Sequence, residues 1–320
     1  MGPAKPDLLL LVKPVAEMTA LLAPLFTVHE ALSAAALDAA IARSGGQVRA
    51  LFTMSKRPVD AALLARLPAL EHVAVGGGHL DAIDLVACRG RGIAVSYTPR
   101  LSGADVADCA MALLLDAARG VALADRHVRA GRWPGGPTPL GKRVSGARLG
   151  LYGLGYIGRL IAERARGFAM AVAYTARTAK ADVDYPFISD VVELACQSDF
   201  LVIAAATTPE TRGAVDGRVL DALGPQGVLV NICRDIVDEG ALIAALQARR
   251  ILAAAIDVFA TEPDVPQALL ALDNVVLTSH IGSATHASRR AMADHAIANL
   301  AAHFAGRPVP DPDPAPGRGH

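Results

Sequence analysis

Leu149-Gly150-Leu151-Tyr152-Gly153-Leu154-Gly155-Tyr156-Ile157-Gly158-Arg159 is the stretch that decides the fold. Its first four residues are a short apolar run of the buried-strand type. Beyond the turn, Ile157, Leu160, Ile161, Ala165 and Phe168 recur at helical spacing on one face. Between strand and helix stands Gly-x-Gly-x-x-Gly. The first glycine permits the tight turn, the second lets backbone approach a pyrophosphate, and the third lets helix pack closely on strand. The phosphates would lie at the positive end of the helix, facing unpaired N–H groups. In a chain with 29 glycines such a triplet means little alone. Here strand, turn, helix and a next strand, Ala171 to Tyr174, follow in order within about 30 residues, which makes a dinucleotide-binding βαβ unit.

The residues after that second strand bear on which dinucleotide is bound. A site for NAD(H) wants Asp or Glu there, to bond the ribose hydroxyls. This chain has Thr175, Ala176, Arg177 and Thr178, with Lys180 beyond. A guanidinium pairs with a 2′-phosphate in a bidentate way, whereas a carboxylate repels it. The reading is NADP(H) preferred, with NAD(H) possible.

Composition excludes more than it names. Lys plus Arg and Asp plus Glu are 31 each, which argues against a nucleic-acid face or a polybasic membrane surface and leaves small molecules as partners. The four cysteines show no Cys-x-x-Cys pair and no histidines at metal spacing, so reduced thiols and no metal site are expected. Leu8 to Val12 is too short for a bilayer span or a signal-peptide core, and the expected location is cytoplasmic.

At 320 residues two domains are expected. Strands are predicted at Leu8 to Val12, Val48 to Phe52, His72 to Val75 and Ile93 to Val95, with a helix at Ala31 to Arg43. A long helix follows from about Ala104 to Arg119, with Ser102 as N-cap and Gly120 as stop. Residues 120 to 147, rich in Gly, Pro and Arg and holding Trp133, read as an exposed arm with a partner. After the fingerprint, strands Phe200 to Ala204, Val228 to Asn231, Ala253 to Asp257 and Val275 to Thr278 complete a doubly wound sheet of six. The tail from Pro308, with prolines at every second position to Pro316, is expected to be disordered.

Three later segments fall at strand ends, where ligands bind in such sheets. They are Asn231-Ile-Cys-Arg234-Asp235, Asp257-Val-Phe-Ala-Thr-Glu262-Pro263 and Leu277-Thr-Ser-His280-Ile-Gly282. Hydride transfer to a ketone leaves an alkoxide that needs a proton, and a histidine supplies one near neutral pH. A carboxylate on that imidazole fixes its tautomer, and a guanidinium polarises the carbonyl and anchors a neighbouring carboxylate. Taken singly, each has an ordinary reading as a turn histidine, a solvated acid before proline and a helix-start cation.

In order and spacing these segments resemble the D-isomer-specific 2-hydroxyacid dehydrogenase family over nearly the whole chain, most closely its NADPH-dependent glyoxylate/hydroxypyruvate reductase branch. The resemblance implies two Rossmann-like α/β domains and a homodimer built through the arm. Residues 1–98 and 281–320 would form the smaller, flavodoxin-like substrate domain and 99–280 the dinucleotide-binding one. Arg234 would bind the substrate carboxylate and carbonyl, Glu262 would pair with His280, and His280 would be the acid/base. Gly153, Gly155, Tyr156, Ile157, Gly158 and Arg159 would hold the pyrophosphate. Thr207, Pro209, Thr211, Ile232 and Cys233 would line the cofactor, with Asp257 facing its carboxamide. Backbone at Val75, Gly76, Gly77 and Gly78 would bind the substrate carboxylate.

Four positions depart from the family pattern. Asp235 stands where glycine is usual, Ser279 where proline is usual, His79 at an aligned glycine, and Asp108 where Glu is commoner. A carboxylate at 235 could compete for the Arg234 guanidinium or alter the φ of the turn, and His79 could refuse a left-handed conformation. The expected activity is reduction of a small 2-oxo acid, glyoxylate or hydroxypyruvate, to a D-2-hydroxy acid. Two alternatives share the fold: a dehydrogenase of another small anion such as formate or phosphite, which Arg177 disfavours, and a non-catalytic NAD(P)H-dependent binding protein, which an intact Arg, Glu and His disfavour.

Overall fold

The computed structural model describes residues 4–55 and 57–313. The chain divides into two compact units, Met1–Ser102 with Thr285–His320, and Gly103–Ala284. The divisions expected from the resemblance fall at 98/99 and 280/281.

In the first unit a parallel sheet of β1 (Asp7–Leu10), β2 (Thr27–Glu30), β3 (Val48–Met54), β4 (His72–Gly76) and β5 (Ala94–Ser96) runs in the order β2-β1-β3-β4-β5. This is the flavodoxin-like order. Strand β2 was not anticipated, because Thr-Val-His-Glu carries no apolar run; it is an edge strand with both end residues exposed. The helix expected from Ala31 begins instead at Ala34, where the Ser33 hydroxyl accepts from the Ala36 N–H at 3.2 Å. The returning helix His286–Phe304 lays Ala293, Ala296 and Leu300 over Leu8, Leu10, Ala50, Phe52 and Ala74, closing one face of this sheet.

Residues 308 to 313, expected to be disordered, are not. Asp311 accepts from the Tyr97 N–H at 3.1 Å, and Asp313 donates to the Val95 carbonyl at 2.7 Å. Prolines are tolerated beside an edge strand, since the N–H groups they lack can face away from the ladder. The Asp side chains add ion pairs, Asp311 with His295 and Asp313 with Arg89. The remainder of the expected tail, 314–320, lies outside the described residues.

The second unit holds six parallel strands, β6 (Arg148–Tyr152), β7 (Ala171–Thr175), β8 (Phe200–Ile203), β9 (Val228–Asn231), β10 (Ala253–Ile256) and β11 (Val275–Leu277), ordered β11-β10-β9-β8-β6-β7. The expected strands agree to within a residue or so at each end. The long helix Gly103–Arg119 buries Ala107, Ala110, Met111, Leu114 and Ala118 at helical spacing against this sheet. Gly120 stops it in a left-handed conformation, φ 63°. Within the expected arm the structure adds a helix, Val121–Arg129, and a short 3-10 turn, Trp133–Gly135, neither of them foreseen. Not one residue of that helix is buried. Among the described residues no helix is long and apolar enough to cross a membrane.

One buried titratable group makes the first unit acid-sensitive. His72 in β4 is fully buried, its Nε2 2.8 Å from Ser96 Oγ and its ring 4.5 Å from that of His303. Burial, and then the charge of His303, pulls its pKa from 6.5 to about 3. Such a histidine stays neutral in the fold while the unfolded chain takes up a proton, so stability is lost as pH falls from 6.5 toward 3. His72→Gln keeps a polar partner for Ser96 but cannot titrate. Its loss of stability between pH 7 and pH 4, read by denaturant unfolding, should be smaller than the parent's by on the order of 3 kcal/mol. Equal losses in the two proteins would contradict this assignment.

Candidate active site

In the second unit the strand order reverses between β6 and β8, and loops leaving such a point form the ligand crevice of an open α/β sheet. Gly153, at the end of β6, has φ 105°, and a Cβ there would lie 2.5 Å from the backbone of Ala205 beyond β8. Only glycine allows the two loops to meet. At Gly158 a Cβ would sit 2.2 Å from the Gly153 carbonyl, so the helix comes this close to its strand only without a side chain. Gly155 is different: nothing lies within 4 Å of its added Cβ, and it begins the helix Tyr156–Arg166 without a side-chain cap. Two glycines serve the turn and one faces open space above a helix N-terminus, which fits a bound pyrophosphate.

Other residues expected at the cofactor divide in two. Arg177 and Thr178 are exposed just past β7 and Ala176 is half-buried. Thr175 is buried, its hydroxyl donating to the Ile188 carbonyl at 2.6 Å. Arg159 pairs with Asp182 at 2.9 Å. Ile157 packs on the core of the unit, as Ile232 does, while Tyr156 is exposed. Thr211 Oγ1 donates to the Ala206 carbonyl at 2.8 Å, folding a loop from which Pro209 is exposed. Cys233 Sγ lies 3.2 Å from the carbonyls of Ile203 and Ala205. Burial raises that thiol to about 12, so it remains a protonated donor.

The three later segments leave the carboxyl ends of β9, β10 and β11, adjacent and parallel strands, so all three loops rise from one edge. Asn231 shapes the first loop: its side chain accepts from the Cys233 N–H and donates to the Val258 carbonyl, both at 3.1 Å. Arg234 follows. Its Nη1 donates to the Phe259 carbonyl at 2.9 Å, and its Nη2 meets Glu262 Oε2 at 3.0 Å. Glu262 also accepts from the Phe259 N–H at 3.2 Å and holds His280 Nδ1 at 2.9 and 3.0 Å from its two oxygens. Arg234, Glu262 and His280 are thus brought together, with one carboxylate between the guanidinium and the imidazole.

Partial burial alone would raise the Glu262 carboxyl. The His280 hydrogen bond and charge, the Phe259 N–H and Arg234 outweigh it and hold the group down at about 2. An ionised carboxylate only accepts, so the neutral imidazole must carry its hydrogen on Nδ1 and leave Nε2 for a ligand. Protonation then creates an Nε2–H donor.

His280 has φ 57°, an uncommon conformation for a residue with a side chain. Asp257, 2 % exposed, holds it there. Its Oδ1 accepts from Thr278 Oγ1 and the Ile281 N–H, both at 2.7 Å, and its Oδ2 from the Gly282 N–H at 2.9 Å. The sequence reading assigned Asp257 to the cofactor and missed this grip, although Thr278 and Gly282 stand in the very segment it singled out.

Val75, Gly76, Gly77 and Gly78 belong to the other unit, at the end of β4. The Val75 side chain is fully buried. The Gly77 N–H goes to Thr98 Oγ1 at 2.7 Å, and the positive φ of the loop, 149°, falls here. A Cβ on Gly77 would meet Ser55 Oγ at 2.0 Å. Of the four, Gly78 is exposed with open space around it. His79 is accommodated without a positive φ, and its carbonyl accepts from Ser55 Oγ at 3.0 Å.

The family model described as D-isomer specific 2-hydroxyacid dehydrogenase, NAD binding domain, matches residues 111–282. A glyoxylate/hydroxypyruvate reductase A of Arabidopsis thaliana is 46% identical over 266 residues, 83% of this chain and 85% of that protein. A hydroxyphenylpyruvate reductase of Plectranthus scutellarioides is 43% identical over 273 residues, 85% of this chain and 87% of that one. Among solved structures, the NADPH-dependent glyoxylate/hydroxypyruvate reductase of Sinorhizobium meliloti in complex with NADP and malonate superposes with a TM-score of 0.88 at 35% identity, covering 97% of each chain. With a fingerprint open at its middle glycine, an Arg-Glu-His cluster on three neighbouring strand ends and relatives matched over most of their length, the chain belongs to the D-isomer specific 2-hydroxyacid dehydrogenase family.

Proposed function

We propose that this chain is an NADPH-preferring reductase of small 2-oxo acids, glyoxylate or hydroxypyruvate, giving the D-2-hydroxy acid. The observation that carries the proposal is the Glu262 carboxylate held between Arg234 and His280. When bound at the fingerprint, the dihydronicotinamide supplies a hydride to the carbonyl carbon. The chain supplies the rest. The guanidinium of Arg234 binds the substrate carboxylate and polarises its carbonyl. His280 gives the Nε2 proton to the carbonyl oxygen, and Glu262 stabilises the imidazolium that this requires. Asp257 acts through the backbone of the 278–282 loop by keeping His280 in place.

His280→Ala should lower kcat about 100-fold or more while changing the substrate KM far less, because the lost group acts mainly as the alkoxide forms. Near-normal kcat with any 2-oxo acid that the protein reduces would remove His280 from the role. Glu262→Gln keeps a hydrogen bond to Nδ1 but not the charge, so the imidazolium is less favoured and the pH profile of reduction should move toward acid. A profile unmoved by that substitution would separate Glu262 from the proton step.

Arg177 supports the preference for NADPH, being exposed just beyond β7 where the 2′-phosphate would lie. Arg177→Asp exchanges an attraction for a repulsion and creates a ribose partner, so the KM for NADPH should rise sharply and NADH use improve. Equal efficiency with NADH and NADPH in the unmodified protein would refute the preference.

The assembly we propose is a homodimer joined through residues 120 to 147. Support comes from a helix with no buried residue and from the exposure of Val121, Val128, Trp133 and Leu140 along one segment. Sedimentation at micromolar concentration should show a dimer, and a monomer would contradict it. We place the protein in the cytoplasm, on the strength of its four free cysteines.

A further inference from the structure

Asp235 puts a second carboxylate one residue from the arginine that the proposed function assigns to substrate binding. The backbone there takes φ 60°, a conformation that Asp and Asn adopt more readily than other side chains do. Its carboxylate lies on Arg212, Oδ2 to Nη1 at 2.5 Å. The backbone around it is fastened to the same segment. The Gly213 N–H donates to the Asp235 carbonyl at 2.8 Å, the Val215 N–H to Ile236 at 3.0 Å, and the Asp238 N–H returns to Val215 at 3.0 Å. Thr207 Oγ1 donates to the Arg234 carbonyl at 2.6 Å. Two loops, 207–215 and 234–238, are therefore joined along their length, and the only ion pair in that seam is Arg212 with Asp235, among the described residues.

Arg234 already faces one carboxylate, Glu262, which the imidazole requires. Were the Asp235 carboxylate to turn onto the same guanidinium, it would compete with the carboxylate of a substrate for the donors that Phe259 and Glu262 leave. We propose that Arg212 is a positioning residue for substrate binding: it sequesters Asp235 and keeps Arg234 open to the carboxylate of the 2-oxo acid. This rests on the reading of Arg234 given above. The Arg212 side chain is 63% exposed, so it stabilises the fold little, and its effect is on the affinity of the site.

Three variants test it: Arg212→Gln, Asp235→Asn and the double substitution. Asn tolerates the left-handed conformation and carries no charge. Arg212→Gln should raise the KM for the 2-oxo acid about 5- to 10-fold, with kcat within about twofold and an unchanged Tm, because a competitor for ground-state carboxylate binding weakens substrate and transition state alike. Asp235→Asn alone should stay close to the parent, and the double variant should recover its KM. A merely structural role for the pair would make the double variant no better than Arg212→Gln, and that result, or an unchanged KM in Arg212→Gln, overturns the inference. The crystal structure of Arg212→Gln gives an answer independent of turnover. Asp235 on Arg234 within hydrogen-bond distance supports the inference, and Asp235 turned to solvent overturns it. Should the parent protein reduce no 2-oxo acid at all, the proposed function fails and that structure alone decides this point.

Discussion

The Glu262 carboxylate is the interaction on which the proposed chemistry depends. It receives His280 through Nδ1, Arg234 through Nη2 and the Phe259 N–H, and with them it stays ionised down to a pH of about 2. One charge thereby sets two geometries. It dictates the tautomer of the imidazole, and it fixes the guanidinium through Nη2 on the same carboxylate. Removing either partner would leave the carboxylate partly buried with less to hold it, so the three residues stand or fall together.

That arrangement is a product of the sheet. Parallel strands end on one edge, and β9, β10 and β11 are neighbours, so residues far apart in sequence emerge side by side. Each loop is then locked by a buried polar side chain near its strand end: Asn231 for the Arg234 loop and Asp257 for the His280 loop. The uncommon φ of His280 is sustained because the two N–H groups that follow it are both bonded to Asp257. The glycines of the fingerprint do the equivalent work beyond β6, where backbone must approach backbone more closely than any Cβ allows.

Most of the second unit was legible from its sequence, since buried parallel strands read as short apolar runs and the glycine spacing marks where the first one turns. The triad was legible as three segments, though their union in space followed only from resemblance. What escaped reading shares a physical cause. Strand β2 is an edge with no apolar pattern, the helix Val121–Arg129 buries nothing, and residues 308 to 313 are held by hydrogen bonds to β5 that no composition rule registers. Asp257 was noticed as a residue, but its grip on the loop after β11 was not read. For Asp235 the concern was competition for the Arg234 guanidinium; in the structure its carboxylate lies instead on Arg212, 23 residues away, a partner that spacing could not reveal.

The tautomer of His280 tests the central claim most directly. In protein labelled with ¹⁵N in its histidines, with the His280 signals assigned through His280→Asn, the neutral ring should show its hydrogen on Nδ1 and a bare Nε2. That preference should weaken in Glu262→Gln, whose amide can either accept or donate. A neutral ring protonated on Nε2 in the unmodified protein would mean that Glu262 does not hold the imidazole as described, and the account of proton delivery would be wrong.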